Sequence, residues 1–156
     1  MKKQWMPSQV FADIARGDES AAQFMGVLYC WFHKQDDLFD RDHLVSAEVA
    51  AGFDLSLLHT LAKNSFFQKN QDYLWPVITM SAIAWVASEE RARTEDVLER
   101  ITAQVLKSQY QDIFFAVAFC IGKFDHAVAM SRKYRDYCFD NELPSAAPSL
   151  GKKETK

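Results

Sequence analysis

The sequence predicts an all-α protein, an irregular bundle of four long and two or three short helices around a central apolar helix. Three observations lead there. Only five Gly and four Pro interrupt 156 residues, too few turn formers for a strand-rich fold. Candidate helix caps, Ser8, Asp18, Asp42, Thr94 and Asp125, recur ahead of apolar-periodic stretches. The segment Ile113 to Ile121 is apolar on almost every side, the pattern of a helix surrounded by others.

Taken in order, Ser8 caps a short helix through Arg16, with Gly17 as its stop. Asp18 caps a long helix from Glu19 to Asp40, whose stripe reads Phe24, Val27, Leu28, Trp31, Gln35 and Leu38. Asp42 caps the next, His43 to Ala51, which Gly52 ends. Phe53 and Leu58 then fit a hydrophobic staple at the start of a helix from Leu55 to Lys63, stopped by Asn64. Ser65 to Asn70 reads as a turn or a short helical piece. A longer helix covers Tyr73 to Arg91, with Pro76 in its tolerant first turn. Thr94 caps a helix that runs to Ile121 and ends at Gly122, with Glu95 and Asp96 suited to its dipole. Asp125 caps the last helix, His126 to Phe139.

Residues 1–140 make one domain of this size. The tail, 141–156, carries Pro144, Pro148 and Gly151, has nothing to bury and is expected to be disordered. Twelve Phe, five Tyr and four Trp supply a core.

A net charge of −3 without a basic stripe argues against a general nucleic-acid binder. Lys2 and Lys3 are followed by Gln4-Trp5-Met6-Pro7, not by a signal-peptide apolar core. The longest uncharged apolar-rich runs, Tyr73 to Ala87 and Ile113 to Gly122, fall short of the ~20 residues that span a bilayer. The expectation is a soluble protein with no membrane segment. Cys30, Cys120 and Cys138 are odd in number and lack a CxxC, so they read as reduced thiols, with Cys30 and Cys120 inside apolar runs.

The stretch KQDDLFDRDH, Lys34 to His43, holds the densest chemistry. With Trp31 taken as the centre of the apolar face, Asp36, Asp37, Asp40 and His33 fall on the opposite side. Carboxylates at a helix C-terminus oppose the dipole and repel one another. A divalent cation would relieve both; the oxygen ligands suit Mg²⁺, and His33 would broaden the choice to Mn²⁺ or Zn²⁺. Equally, Asp36 and Asp37 can be solvated acids paired with Lys34 and Arg41. No catalytic residue is assigned. HExxH, CxxC, GxSxG and a Gly-rich phosphate loop are all absent, so no organic cofactor is expected. His43 and His59 read as surface residues, and Ser81 as a small packing residue. Of Phe66 and Phe67, either one is exposed as a partner surface or both plug the bundle end.

Asp36-Asp37-Leu38-Phe39-Asp40 resembles the DDxxD motif with which isoprenoid diphosphate synthases bind Mg²⁺ and diphosphate. Those chains are much longer, and their second metal motif is missing here, with Ala50 where its Glu belongs. Asp37-x-x-Asp40 and Asp96-x-x-Glu99 resemble the i,i+3 carboxylates of all-α nucleotide pyrophosphatases, although the usual Glu-x-x-Glu is absent. More of the chain is similar to small uncharacterised helical proteins of tailed phages and prophages. The blocks are Asp-Asp-Leu-x-Asp, Asn64-Ser65-Phe66-Phe67, Trp75-Pro76 and Ile121 to His126. This resemblance implies a phage origin and the bacterial cytoplasm. It draws Asp36, Asp37, Asp40, Asp125 and His126 together as one site, with His126 as the fourth candidate ligand. The expectation is an accessory or protein-interaction module with a protein partner, self-association left open. The alternative is a Mg²⁺-dependent phosphohydrolase acting on a nucleotide or other diphosphate.

Overall fold

The structure, a computed structural model, describes residues 8–40 and 46–135. Among these the chain forms α1 (Ser8–Ala15), α2 (Glu19–Asp40), α3 (Ala47–Lys63), α4 (Ser65–Ala92), α5 (Val97–Ser108) and α6 (Gln111–Tyr134), with no strand. The all-α bundle expected from composition is the architecture observed. The expected caps Asp42 and the tail 141–156 lie outside the described residues, as do Trp5, His43 and Cys138.

α1 and α2 form a hairpin. Arg16 and Gly17 take positive φ at 47° and 89°, and the Asp18 side chain accepts from the Ala21 N–H at 2.9 Å. Gly17 is the stop foreseen, because the left-handed turn favours a residue without Cβ. α2 packs on α1, α3 and α4, while α6 packs on α1 and α4. Phe24 is fully buried in α2, with Phe66 at 6.1 Å and Phe67 at 5.4 Å between ring centres. Both adjacent phenylalanines therefore plug the core, at 6% and 2% exposure. Neither is the exposed aromatic considered above.

The apolar middle of α6, Ile113 to Ala118, is buried as its composition predicts, while the helix that packs on most others is α4, against α2, α3, α5 and α6. By length and composition alone, the described run Val97–Tyr134 is also long and apolar enough to cross a membrane. A buried core helix has the same composition.

Three boundaries differ from expectation, each for a physical reason. α3 is one helix that starts at Ser46, whose side chain accepts from the Val49 N–H, and it passes through Gly52. An exposed mid-helix Gly costs about 1 kcal/mol, too little to end a helix that is held elsewhere. α4 begins at Ser65 and continues through Pro76 to Ala92. Its buried positions Phe67, Leu74, Ile78, Ser81, Trp85 and Ser88 keep one helical period across the proline. Pro76 offers no N–H to the Asp72 carbonyl, but both residues are exposed, so water can serve that carbonyl. α5 is capped by Asp96, which accepts from the N–H groups of Leu98 and Glu99, and Thr94 supports Asp96 by accepting from its N–H.

Gln109 and Tyr110 keep right-handed helical φ/ψ, so α5 and α6 follow each other almost without interruption. The foreseen break at Gly122 is present inside α6. Gly122 (φ −123°, ψ 15°) and Lys123 (φ 62°, ψ −163°) leave the helical region, and helix resumes beyond them.

Candidate functional site

Asp36 and Asp37 of α2 do not lie on an open face. Burial in α2 follows Ala21, Met25, Leu28, Tyr29, Phe32 and Asp36, so the stripe is centred on Phe32 and not on Trp31. Trp31 is half-buried on the α3 side, where its Nε1–H donates to Asp54 at 2.7 Å. This rotation carries Asp36 and Asp37 inward, to 9% and 7% exposure. Asp36 makes an ion pair with Lys107 of α5, and the same ammonium lies 3.5 Å from Glu89 of α4. Asp37 pairs with Lys34 at 3.2 Å. The Lys107 pairs thus tie α2, α4 and α5 together. Coulombic attraction across a partly buried pair is stronger than in water, and each acid has a cation within reach of it.

The Asp40 side chain lies outside the described part of the molecule. His126 is 2% exposed and stands at the other end of the bundle. Its Nε2 is 2.9 Å from the Ile14 carbonyl, which can only accept, so Nε2 carries the hydrogen. Its Nδ1 is buried and has no hydrogen-bond partner among the described residues. Ile14 lies in the last turn of α1, beside the start of α2, and that start is nearly five helical turns from Asp36. The structure therefore brings Asp36 and Asp37 together and separates them from His126 and Asp125. Among the described residues, no group of three His, Cys, Asp or Glu side chains is gathered closely enough to hold a metal ion. Asp96 and Glu99 are engaged elsewhere, Asp96 as the α5 cap and Glu99 with Arg91 at 2.6 Å.

The described surface also carries a half-open groove of about 470 Å³, lined by Asp18, Ser65, Lys69, Asn70, Cys120 and Lys123 among others. Cys120 is a free thiol, and burial raises its pKa against the opposing pull of Lys123. A thiol held in its protonated form is a poor nucleophile, in line with the packing role read from the sequence. The nearby helix starts are already satisfied. Asn64 accepts from the Phe67 N–H, Ser20 from the Phe66 N–H, and Asp18 from the Ala21 N–H.

The least ordinary surface is the outer side of α4. Tyr73 to Ser88 contains no charged residue across 16 positions. Its inner positions are core, but its outer side is open. Tyr73 and Trp75 are each 47% exposed, Met80 62%, and Ile83 and Val86 57% each. Pro76, Thr79 and Ala87 fill the same side. Tyr73 and Trp75, two residues apart, flank this side on opposite edges, each braced, Trp75 edge-on to Phe67 at 5.5 Å and Tyr73 against Phe119 at 5.4 Å. Sequence reasoning noted this run only as too short for a bilayer. The usable signal was an apolar composition on every side of a helix that is not wholly interior.

The fold and this face define a small all-α bundle with one uncharged helix side turned outward. Compared with protein-family models, curated proteins and solved structures, the chain matches none.

Proposed function

We propose that the chain is a small helical protein-interaction module that engages its partner through the outer side of α4. The observation that carries this reading is the uncharged side of Tyr73, Trp75, Met80, Ile83 and Val86. Aromatics and Met are enriched at the centres of interfaces, where charges are depleted. Braced aromatics lose little freedom on binding. The phage-type resemblance supports an accessory role in a bacterial cytoplasm. Its blocks Asn64 to Phe67 and Ile121 to His126 fall on the α3–α4 joint and the α6 break, and Trp75-Pro76 falls on the proposed face.

The alternative, a Mg²⁺-dependent phosphohydrolase at Asp36, Asp37 and Asp40, rests on the spacing of the acids. A cation such as Mg²⁺ or Mn²⁺ would first have to displace Lys34 and Lys107.

One experiment addresses both. A photo-crosslinking residue at Ile83 should give a single adduct of defined mass, and the same residue at exposed Glu95 should give none. In parallel, melts with EDTA, Mg²⁺ or Mn²⁺ should superimpose. Absence of an adduct at Ile83 overturns the interaction reading. A metal-dependent rise in midpoint that is lost in Asp36→Asn/Asp37→Asn favours the hydrolase, because a ligand stabilises the state that binds it.

A further inference from the structure

We infer that the occupant of the α4 face is a second copy of the chain, packed antiparallel across a two-fold axis near Thr79 and Met80. The inference rests on the reading of that face as an interaction surface and names its partner.

The first argument is area. A large apolar side chain offers about 150–250 Å². At 47–62% exposure, Tyr73, Met80, Ile83 and Val86, the large residues this register pairs, leave roughly 400 Å² open on each copy. Two copies face to face would bury about 800 Å² of apolar surface from these residues, and the flanking Pro76, Thr79 and Ala87 extend the contact toward the roughly 1,000 Å² of a specific interface. Contiguous exposed apolar patches of this size are often functional.

The second argument is charge. The uncharged run ends at Lys69 and Asp72 on one side and at Glu89, Glu90 and Arg91 on the other. Glu89 and Arg91 are used within the chain, by Lys107 and Glu99. Lys69 and Glu90 are exposed and form no ion pair among the described residues. They stand at equal distances on either side of the Thr79–Met80 midpoint, about 16 Å each way along the helix. An antiparallel copy centred there sets Lys69 opposite Glu90 of its partner, and by symmetry does so twice. The same register lays Pro76 opposite Ile83 and Tyr73 opposite Val86, while Asp72 faces Ala87 and meets no acid. A parallel pairing would put Lys69 against Lys69 and Glu90 against Glu90.

The test is oligomeric state by sedimentation over a range of concentrations. The parent should show a concentration-dependent dimer. Ile83→Glu should be monomeric with an unchanged melt, which separates loss of the interface from loss of the fold. Lys69→Glu and Glu90→Lys should each weaken the dimer, and the double variant K69E/E90K should restore it. A parent that stays monomeric at its highest soluble concentration overturns the proposal. So does a double variant no better than the singles, or a face that sediments with lipid vesicles while the protein remains monomeric. An Ile83 crosslink to a partner of another mass, with a monomeric parent, would overturn self-pairing and leave the interaction reading standing.

Discussion

Asn64 shows how much one side chain can settle. It ends α3 with its N–H on the Thr60 carbonyl at 2.8 Å and starts α4 by accepting from the Phe67 N–H at 2.8 Å. Its amide also donates to the Ser20 carbonyl at 2.8 Å, which fixes the joint against the start of α2. Asn64→Ala would remove the cap and leave that carbonyl without its donor. Losing the cap costs about 1 kcal/mol, and an unsatisfied part-buried acceptor adds about 1–2 kcal/mol. Denaturant unfolding should place the variant about 2–3 kcal/mol below the parent. Asn64→Asp keeps the capping oxygen but not the amide donor, so it should fall between them. A variant equal to the parent would show that the joint is held by Phe66 and Phe67 alone. The stop at Asn64 could be read from the sequence because capping is local. Its bond to Ser20, 44 residues away, could not. The same division governs Asp36. Its membership of an acidic run was plain, but its inward direction depended on whether Trp31 or Phe32 marked the core.

At the scale of elements, the break in α6 was legible at Gly122, and the structure adds why the residue is Gly. A Cβ there would collide with His126 Cβ, lie 2.7 Å from His126 Cγ and come within 2.9 Å of Arg16 Nη1. The requirement is steric, since its φ of −123° suits other residues. Gly122→Ala should therefore shift His126 from its bond with Ile14 and loosen α1 on α6. Overpacking of this kind typically costs 1–3 kcal/mol, the expected loss in a thermal or denaturant melt. Gly52→Ala, where a Cβ would meet nothing within 4 Å, should instead be neutral or stabilising by up to about 1 kcal/mol. If both substitutions behave alike, close packing is not what selects Gly122. Local signals located these glycines but did not separate a helix break from an exposed helical position. Gly52 was read as a stop for that reason. The α4 boundary failed similarly, since proline reads as punctuation unless the buried period on both sides of it is counted together.

At the scale of the molecule, the first helix is closed onto the last by Asp13. Its carboxylate accepts from Lys133 at 2.6 Å, from the Tyr134 hydroxyl and from Gln9 at 2.6 Å. Lys133, then Tyr134 and Gln9, hold its pKa well below the usual carboxylate range. Lys133 is correspondingly raised, first by Asp13. The directions set the pH window. A carboxylate depressed in the folded state contributes stability above its unfolded pKa, near 4, and that contribution fades as pH falls toward the folded value. A raised lysine contributes fully below its unfolded pKa, near 10, and loses its contribution only at strongly alkaline pH. Near neutrality both contributions are present. Asp13→Asn should therefore melt below the parent from neutral pH down to about 5, and the gap should begin to narrow below about pH 4 and keep shrinking as pH falls further. Added salt should narrow the gap at neutral pH, because the pair is exposed enough to be screened. A gap that persists unchanged at about pH 3 would mean that the group holds Tyr134 and Gln9 as a neutral acceptor, and that the charge of Lys133 is incidental to closing the bundle.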